Sequence, residues 1–167
     1  MYKAVLTLCL AFLLFSVSFG QQSDSAQERV IFKANTEFSI QLDNAVFSGK
    51  NNVGDDVNFV LNDDIIGDGD KIDKGSVIYG RIAKIDKISP KNDTTKVCIM
   101  FDYIKKGADF IPLIATIIAI ESNNEAINLA TSPTFVGGTT FSLKGKEIQL
   151  DKGRVFRAKL TKDITGK

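Results

Sequence analysis

The sequence predicts an all-β domain, a small antiparallel β-barrel or sandwich of six to nine strands. Three observations lead there. Apolar residues alternate with polar ones in Glu37–Asp43 and again in Asp56–Asn62, the period of two that sets one strand face on a core and the other in solvent. Short clusters of Gly, Asn, Asp and Lys separate these runs, and such residues make turns. Outside the first 20 residues, no stretch sustains the 3.6-residue apolar period of an amphipathic helix.

In chain order, Lys3 precedes an apolar run, Ala4–Phe15, and small residues stand at Ser18 and Gly20 before polar Gln21. That pattern predicts a secretory signal peptide over residues 1–20, cut after Gly20. The run is shorter than the roughly 20 residues a membrane helix needs, so no transmembrane segment is expected after cleavage. Cys9 lies inside this run behind bulky Leu8, which argues against lipid attachment. Residues 21–28 are polar and aperiodic, as in a disordered leader. The β domain then covers residues 29–167.

Val30 and Phe32 alternate in Arg29–Lys33. Glu37–Asp43 points Phe38, Ile40 and Leu42 inward, and Asp56–Asn62 does the same with Val57, Phe59 and Leu61, with a turn across Ser48–Asp55. Asp63–Asp73 is an acidic loop. Lys74-Gly75 then opens the strand Ser76–Ile85, where Gly80 predicts a bulge or a close backbone approach. Ser89–Asp93 is a loop before the strand Lys96–Ile104. Lys105–Asp109 turns the chain into Phe110–Ile120, a run apolar on both faces; Pro112 and five isoleucines disfavour a helix, so one strand covered on both sides is expected. Glu121–Thr131 reads as a loop or a short helical turn. Thr134–Val136, Gly137-Gly138 and Thr139–Leu143 read as a tight hairpin, and strands at Glu147–Asp151 and Arg154–Leu160 end the domain. Asp73–Ile85 echoes Asp151–Lys162, with Ala34–Leu42 as a looser third copy. Each is a turn launching a strand, either by convergence or as units of a repeated barrel.

Three of these pieces, Asn35–Leu42, Gly54-Asp55 and Ile72–Gly80, form a pattern of exported bacterial proteins. The chain resembles the C-terminal β-barrel of TrbI-type conjugation and type IV secretion proteins, and related secreted bacterial β-domains, over residues 34–116 and 146–160. The resemblance implies a barrel fold and a location in the cell envelope. Those secretion proteins carry a membrane helix ahead of the barrel and a long helical hairpin within it. Here a cleavable signal replaces the helix and Glu121–Pro133 is too short for the hairpin, so the resemblance does not extend to a channel role.

Without Lys3, the 21 basic residues become 20, against 20 acidic ones. A mature charge of zero argues against a nucleic-acid binder or a polybasic membrane-surface protein. The chain has no His, which excludes Ser-His-Asp and Cys-His catalysis and every His-bearing metal site. After signal cleavage Cys98 is the sole cysteine, in the apolar run Val97–Phe101, as a buried inert thiol would be. Gly137-Gly138 lacks the Lys and following helix of a phosphate-binding loop. Asn92-Asp93-Thr94 is a glycosylation sequon, relevant only in a eukaryotic host.

Three groups of residues remain as candidate sites. Asp63, Asp64, Asp68, Asp70 and Asp73 are five carboxylates in eleven residues, oxygens that a weak calcium site would use. They miss the EF-hand template, because the sixth position from Asp68 is Asp73 rather than Gly and no Glu follows at the twelfth; a solvated turn is the plainer reading. Asp102 is the one acid embedded in an apolar strand. Arg81, Lys84, Arg154, Arg157 and Lys159 would form a basic stripe for an anionic envelope polymer if the two echoing strands lie side by side, and otherwise a solvated outer face. The expectation is a non-enzymatic exported module, periplasmic or extracellular, that binds or scaffolds an envelope protein or polymer without a cofactor. A calcium-binding protein using the acidic loop is the alternative. Phe110, Ile114, Ile118 and Ile120 would face outward opposite the inward Ile111, Leu113, Ala115, Ile117 and Ala119. Cover by the chain's own Arg29–Lys33 favours a monomer over a homo-oligomer.

Overall fold

The computed structural model describes residues 29–121 and 126–166. The expected signal peptide and leader lie outside the described residues. Fifteen strands follow in order: β1 (Arg29–Phe32), β2 (Glu37–Leu42), β3 (Val46–Phe47), β4 (Asp56–Leu61), β5 (Ile65–Ile66), β6 (Lys71–Ile72), β7 (Val77–Asp86), β8 (Thr94–Lys106), β9 (Asp109–Pro112), β10 (Ala115–Ile120), β11 (Asn128–Thr131), β12 (Thr139–Lys144), β13 (Gln149–Leu150), β14 (Val155–Leu160) and β15 (Ile164–Gly166). Among the described residues there is no helix, and so none long and apolar enough to cross a membrane.

Eight strands form one antiparallel sheet in the order β10-β14-β2-β4-β7-β8-β12-β11, and β9 extends the β8 edge beyond β12. Its two ends curl toward each other into a nearly closed barrel. At the seam a side chain stands in for the ladder: Thr139 Oγ1 on β12 accepts the Ile117 N–H at 2.7 Å and lies 2.9 Å from Thr116 Oγ1 on β10. Both threonines are buried, and the pairing leaves the seam's buried polar groups satisfied. The interior is filled by the alternating residues the period of two selects, including Phe38, Ile40 and Leu42 of β2 and Val57, Phe59 and Leu61 of β4. Phe59 meets Phe101 and Phe156 edge-on, and Phe141 meets Phe156 likewise.

Four turns share one construction. In Lys33–Thr36, Asn52–Asp55, Asp73–Ser76 and Asp151–Arg154 the fourth residue donates its N–H to the carbonyl of the first. The third residue, Asn35, Gly54, Gly75 or Gly153, has φ between +69° and +95°, as a type II turn requires of its third position. That third residue donates its N–H to Leu160, Ile82, Leu61 and Leu42 respectively, and each of these four donates back to the turn's fourth carbonyl. The turns launch β2, β4, β7 and β14. Thus β2 and β14 clamp each other's ends, while the turn before β7 closes on the end of β4 and the turn before β4 closes on Ile82 in the middle of β7. The echo in the sequence is a repeated structural unit, present in four copies rather than three.

Elsewhere the structure differs from the expectation. The run Phe110–Ile120 is two strands, not one. Pro112 has no N–H to continue the β9 ladder, Leu113 turns inward with its N–H on the Asp102 carbonyl, and β10 leaves β8 to pair with β14. Leu113, Ala115 and Ile117 are buried as expected, but a register shift between Ile117 and Ala119 breaks the alternation, so that Ile120 packs on the core while Ile118 is exposed. Residues Asn128–Thr131, read as loop or helical turn, form β11, which takes the hairpin position assigned to Thr134–Val136. Finally, β1 does not lie over the outer face of β10. It pairs with β15, buries Phe32 and accepts the Asp68 N–H at the Ile31 carbonyl. Phe110 and Ile118 stay exposed at 58% and 37%.

Candidate functional site on the outer face of β7, β8 and β9

β7 and β8 are the longest strands, at 10 and 13 residues. Alternation puts Ile78, Ile82, Val97, Ile99 and Ile104 in the core and turns their neighbours outward. A register shift falls where Gly80 meets β8: Tyr79 opposes Tyr103, Gly80 opposes Phe101, and Asp102 is the extra residue. Gly80 permits it because a Cβ there would sit 2.3 Å from the Met100 carbonyl oxygen, so the expected close approach is real.

This bulge assembles a group no linear motif announces. Tyr79 and Tyr103, directly opposed, stack with ring centroids 4.8 Å apart and planes at 29°. Phe110 of β9 meets Tyr103 edge-on at 5.1 Å. Each such pair contributes roughly 0.5–1.5 kcal/mol beyond area burial, enough to hold the rings in one arrangement. Beside them Asp102, partly covered, is ion-paired with Arg81 at 2.7 Å. The acid that stands alone in its apolar strand thus has a guanidinium partner from the next strand. Lys105, directly opposite Phe110 in the ladder, is exposed and makes no ion pair among the described residues. The same face ends in a cleft of about 170 Å³ under residues 132–135, with Cys98 buried in its floor and Lys84, Asp86 and Lys96 along its rim.

Four of the five carboxylates of the acidic loop are paired with cations of the chain itself. Asp68 pairs with Arg29 at 3.0 Å, Asp73 with Lys71 at 2.6 Å, and Asp64 with Lys71 at 3.4 Å while accepting the Lys74 N–H at 2.7 Å. Asp70 pairs with Lys106 of β8 and accepts the Lys71 N–H. Asp63 is exposed beside a depression it shares with Glu37, Asp64, Glu121 and Arg157. Among the described residues no three His, Cys, Asp or Glu side chains converge to hold a metal ion. The Lys106 hydrogen bond and the Lys71 amide lower the Asp70 pKa, and the Lys74 amide, more than Lys71, lowers that of Asp64. Through Arg29, Asp68 and Lys106 the loop ties β1 to β8. It is a fastening.

The five basic residues of the expected stripe are not brought together. β14 and β7 are separated by β2 and β4, three strand spacings or about 14 Å along the sheet. Arg81 and Lys84 stand on β7, paired with Asp102 and Asp86. Arg157 on β14 faces Glu37 at 3.9 Å. Lys159 is on β14 as well, and Arg154 lies in the turn before it beside Glu121 and Asp151. The sequence places Phe110 on an outer face, as it is here, but does not bring it to Tyr79 and Tyr103; the signal for those two is Gly80, whose bulge sets Tyr79 opposite Tyr103. No protein-family model matches the chain, and no curated protein matches it.

Proposed function

We propose that the protein is a non-enzymatic β-barrel module of the bacterial cell envelope, exported by cleavage after Gly20, that binds an envelope component through the outer face of β7, β8 and β9. The observation that carries this reading is the ordered aromatic group Tyr79–Tyr103–Phe110 at the solvent surface, with Phe110 58% exposed. The contact with Tyr103 holds the Phe110 ring in place, and more than half of that residue stays open to a ligand. The Arg81–Asp102 pair supports binding rather than catalysis, since the one acid in an apolar strand is engaged by a cation. The resemblance to the TrbI-type barrel supports an envelope location. Co-sedimentation of the purified protein with isolated bacterial cell envelopes tests the proposal. Binding that Phe110→Ala abolishes is expected; envelope binding unchanged by Phe110→Ala and Tyr103→Ala, or none at all, would refute it.

A further inference from the structure

We infer that the ligand of this face is an acidic pyranose unit of a polysaccharide, an inference that rests on the binding role just proposed. The C–H groups on one face of a pyranose are weakly positive and stack on the negative face of an aromatic ring, which Phe110 and Tyr103 supply. The ring hydroxyls need donors and acceptors at the edge of that platform, and the Arg81–Asp102 pair offers both. The sugar's carboxylate needs a cation free to meet it, and Lys105, opposite Phe110 in the ladder, is exposed and makes no ion pair among the described residues. The size of the patch also favours a sugar over a protein. Phe110 alone is largely open while Tyr79 and Tyr103 are half-buried, so the three rings together expose well under the roughly 800 Å² per partner that a stable protein interface buries. Charge complementarity then selects an acidic sugar over a neutral one.

Affinity electrophoresis of the purified protein through gels containing polygalacturonate, with dextran as the neutral comparison, tests this at about 0.15 M salt, where exposed charges act over only about 8 Å. Polygalacturonate should retard the protein and dextran should not. Phe110→Ala and Tyr103→Ala should each weaken the interaction about tenfold, the loss expected of one stacking contact. Lys105→Gln should reduce binding to the level seen with dextran. Lys105 is exposed, so Lys105→Gln should melt as the unaltered protein does. Phe110→Ala gives up its edge contact with Tyr103 and should melt slightly lower but as cooperatively, and this separates loss of the site from loss of the fold. Absence of retardation, or retardation undiminished by Phe110→Ala, overturns the inference, as does equal binding of dextran unaffected by Lys105→Gln. If both polysaccharides fail while envelope binding still requires Phe110, the sugar class is wrong and the binding role stands.

Discussion

Asn35 donates its backbone N–H to the carbonyl of Leu160 at 2.8 Å from a φ of +69°, the position that Gly54, Gly75 and Gly153 hold in the other three turns. Left-handed backbone costs an ordinary L-residue about 1–2 kcal/mol, whereas Asn tolerates it better. Asn35→Ala should therefore destabilise the protein by about 1 kcal/mol, and Asn35→Gly should be nearly neutral. Gly75→Ala should cost about 1–2 kcal/mol, because a Cβ there meets nothing within 4 Å and only the backbone angle is at stake. Urea unfolding of the three variants checks the order.

Gly80→Ala should behave differently from Gly75→Ala. The added Cβ would fall 2.3 Å from the Met100 carbonyl oxygen and 3.3 Å from that of Val57, both backbone atoms in paired strands, so the β7–β8 ladder must part to admit it. A loss of about 3 kcal/mol is expected, beyond the usual single-substitution range centred near 1 kcal/mol. The stacking of Tyr79 on Tyr103 should go with it, as a change in near-ultraviolet circular dichroism. An unfolding midpoint equal to that of Gly75→Ala would show that the bulge is not rigid.

Closure at the seam predicts a third effect. Thr139→Val keeps the shape of the side chain but leaves the buried Ile117 N–H and the Thr116 hydroxyl without their partner. An unsatisfied buried donor costs about 1–3 kcal/mol, so a loss near 2 kcal/mol is expected, with faster amide exchange at Ile117. Exchange at Ile117 no faster than in the unaltered protein would place the closure elsewhere.

The acidic loop should respond to pH with a definite sign. Hydrogen bonds from Lys106 and from the Lys71 amide depress the Asp70 pKa below its ordinary 3.8, and the Lys74 amide does the same for Asp64. Depressed carboxylates contribute stability above their unfolded value and lose it as pH falls through the lower, folded one. Lys71, raised above 10.5 by Asp73 and Asp64, contributes fully below that value and loses its contribution as pH rises beyond it. Proteolysis within residues 63–73 should thus stay slow at neutral pH and quicken as pH falls below the ordinary carboxylate value of 3.8. Lys106→Met should make it faster at pH 7; no change would mean that Asp70 does not anchor the loop.

Much of this fold is written locally. The alternation in Glu37–Leu42 and Asp56–Leu61 names the residues that are buried, and Gly80 marks its bulge, because a face and a close approach are properties of a few consecutive residues. Pairing is not local. Nothing in Arg154–Leu160 states that its neighbour is Glu37–Leu42 rather than Val77–Asp86, and that choice is what separates Arg81 from Arg157. Phe110–Ile120 hides its break for the same reason: apolar residues on both faces suit one covered strand or two short ones, and only the competition between β8 and β14 for its backbone decides. The aromatic group needed the bulge, the register of β7 on β8 and the return of β9 together.

The partner strands of this barrel are the far ends of the chain. Ala34 donates to Asp163 across a separation of 129 residues, β1 lies on β15, and β2 waits for β14. A polypeptide delivered from its N-terminus presents Phe38, Ile40 and Leu42 long before the strand that covers their outer edge has been delivered. Loop closure over such spans makes the final step slow, so a chain whose residues 155–166 have not yet arrived has no closed barrel to fall into. Folding is then completed in one event, when residues 155–166 reach β1 and β2. A fusion that holds residues 155–166 inside a channel should therefore keep the whole barrel open to protease, however long the emerged portion is.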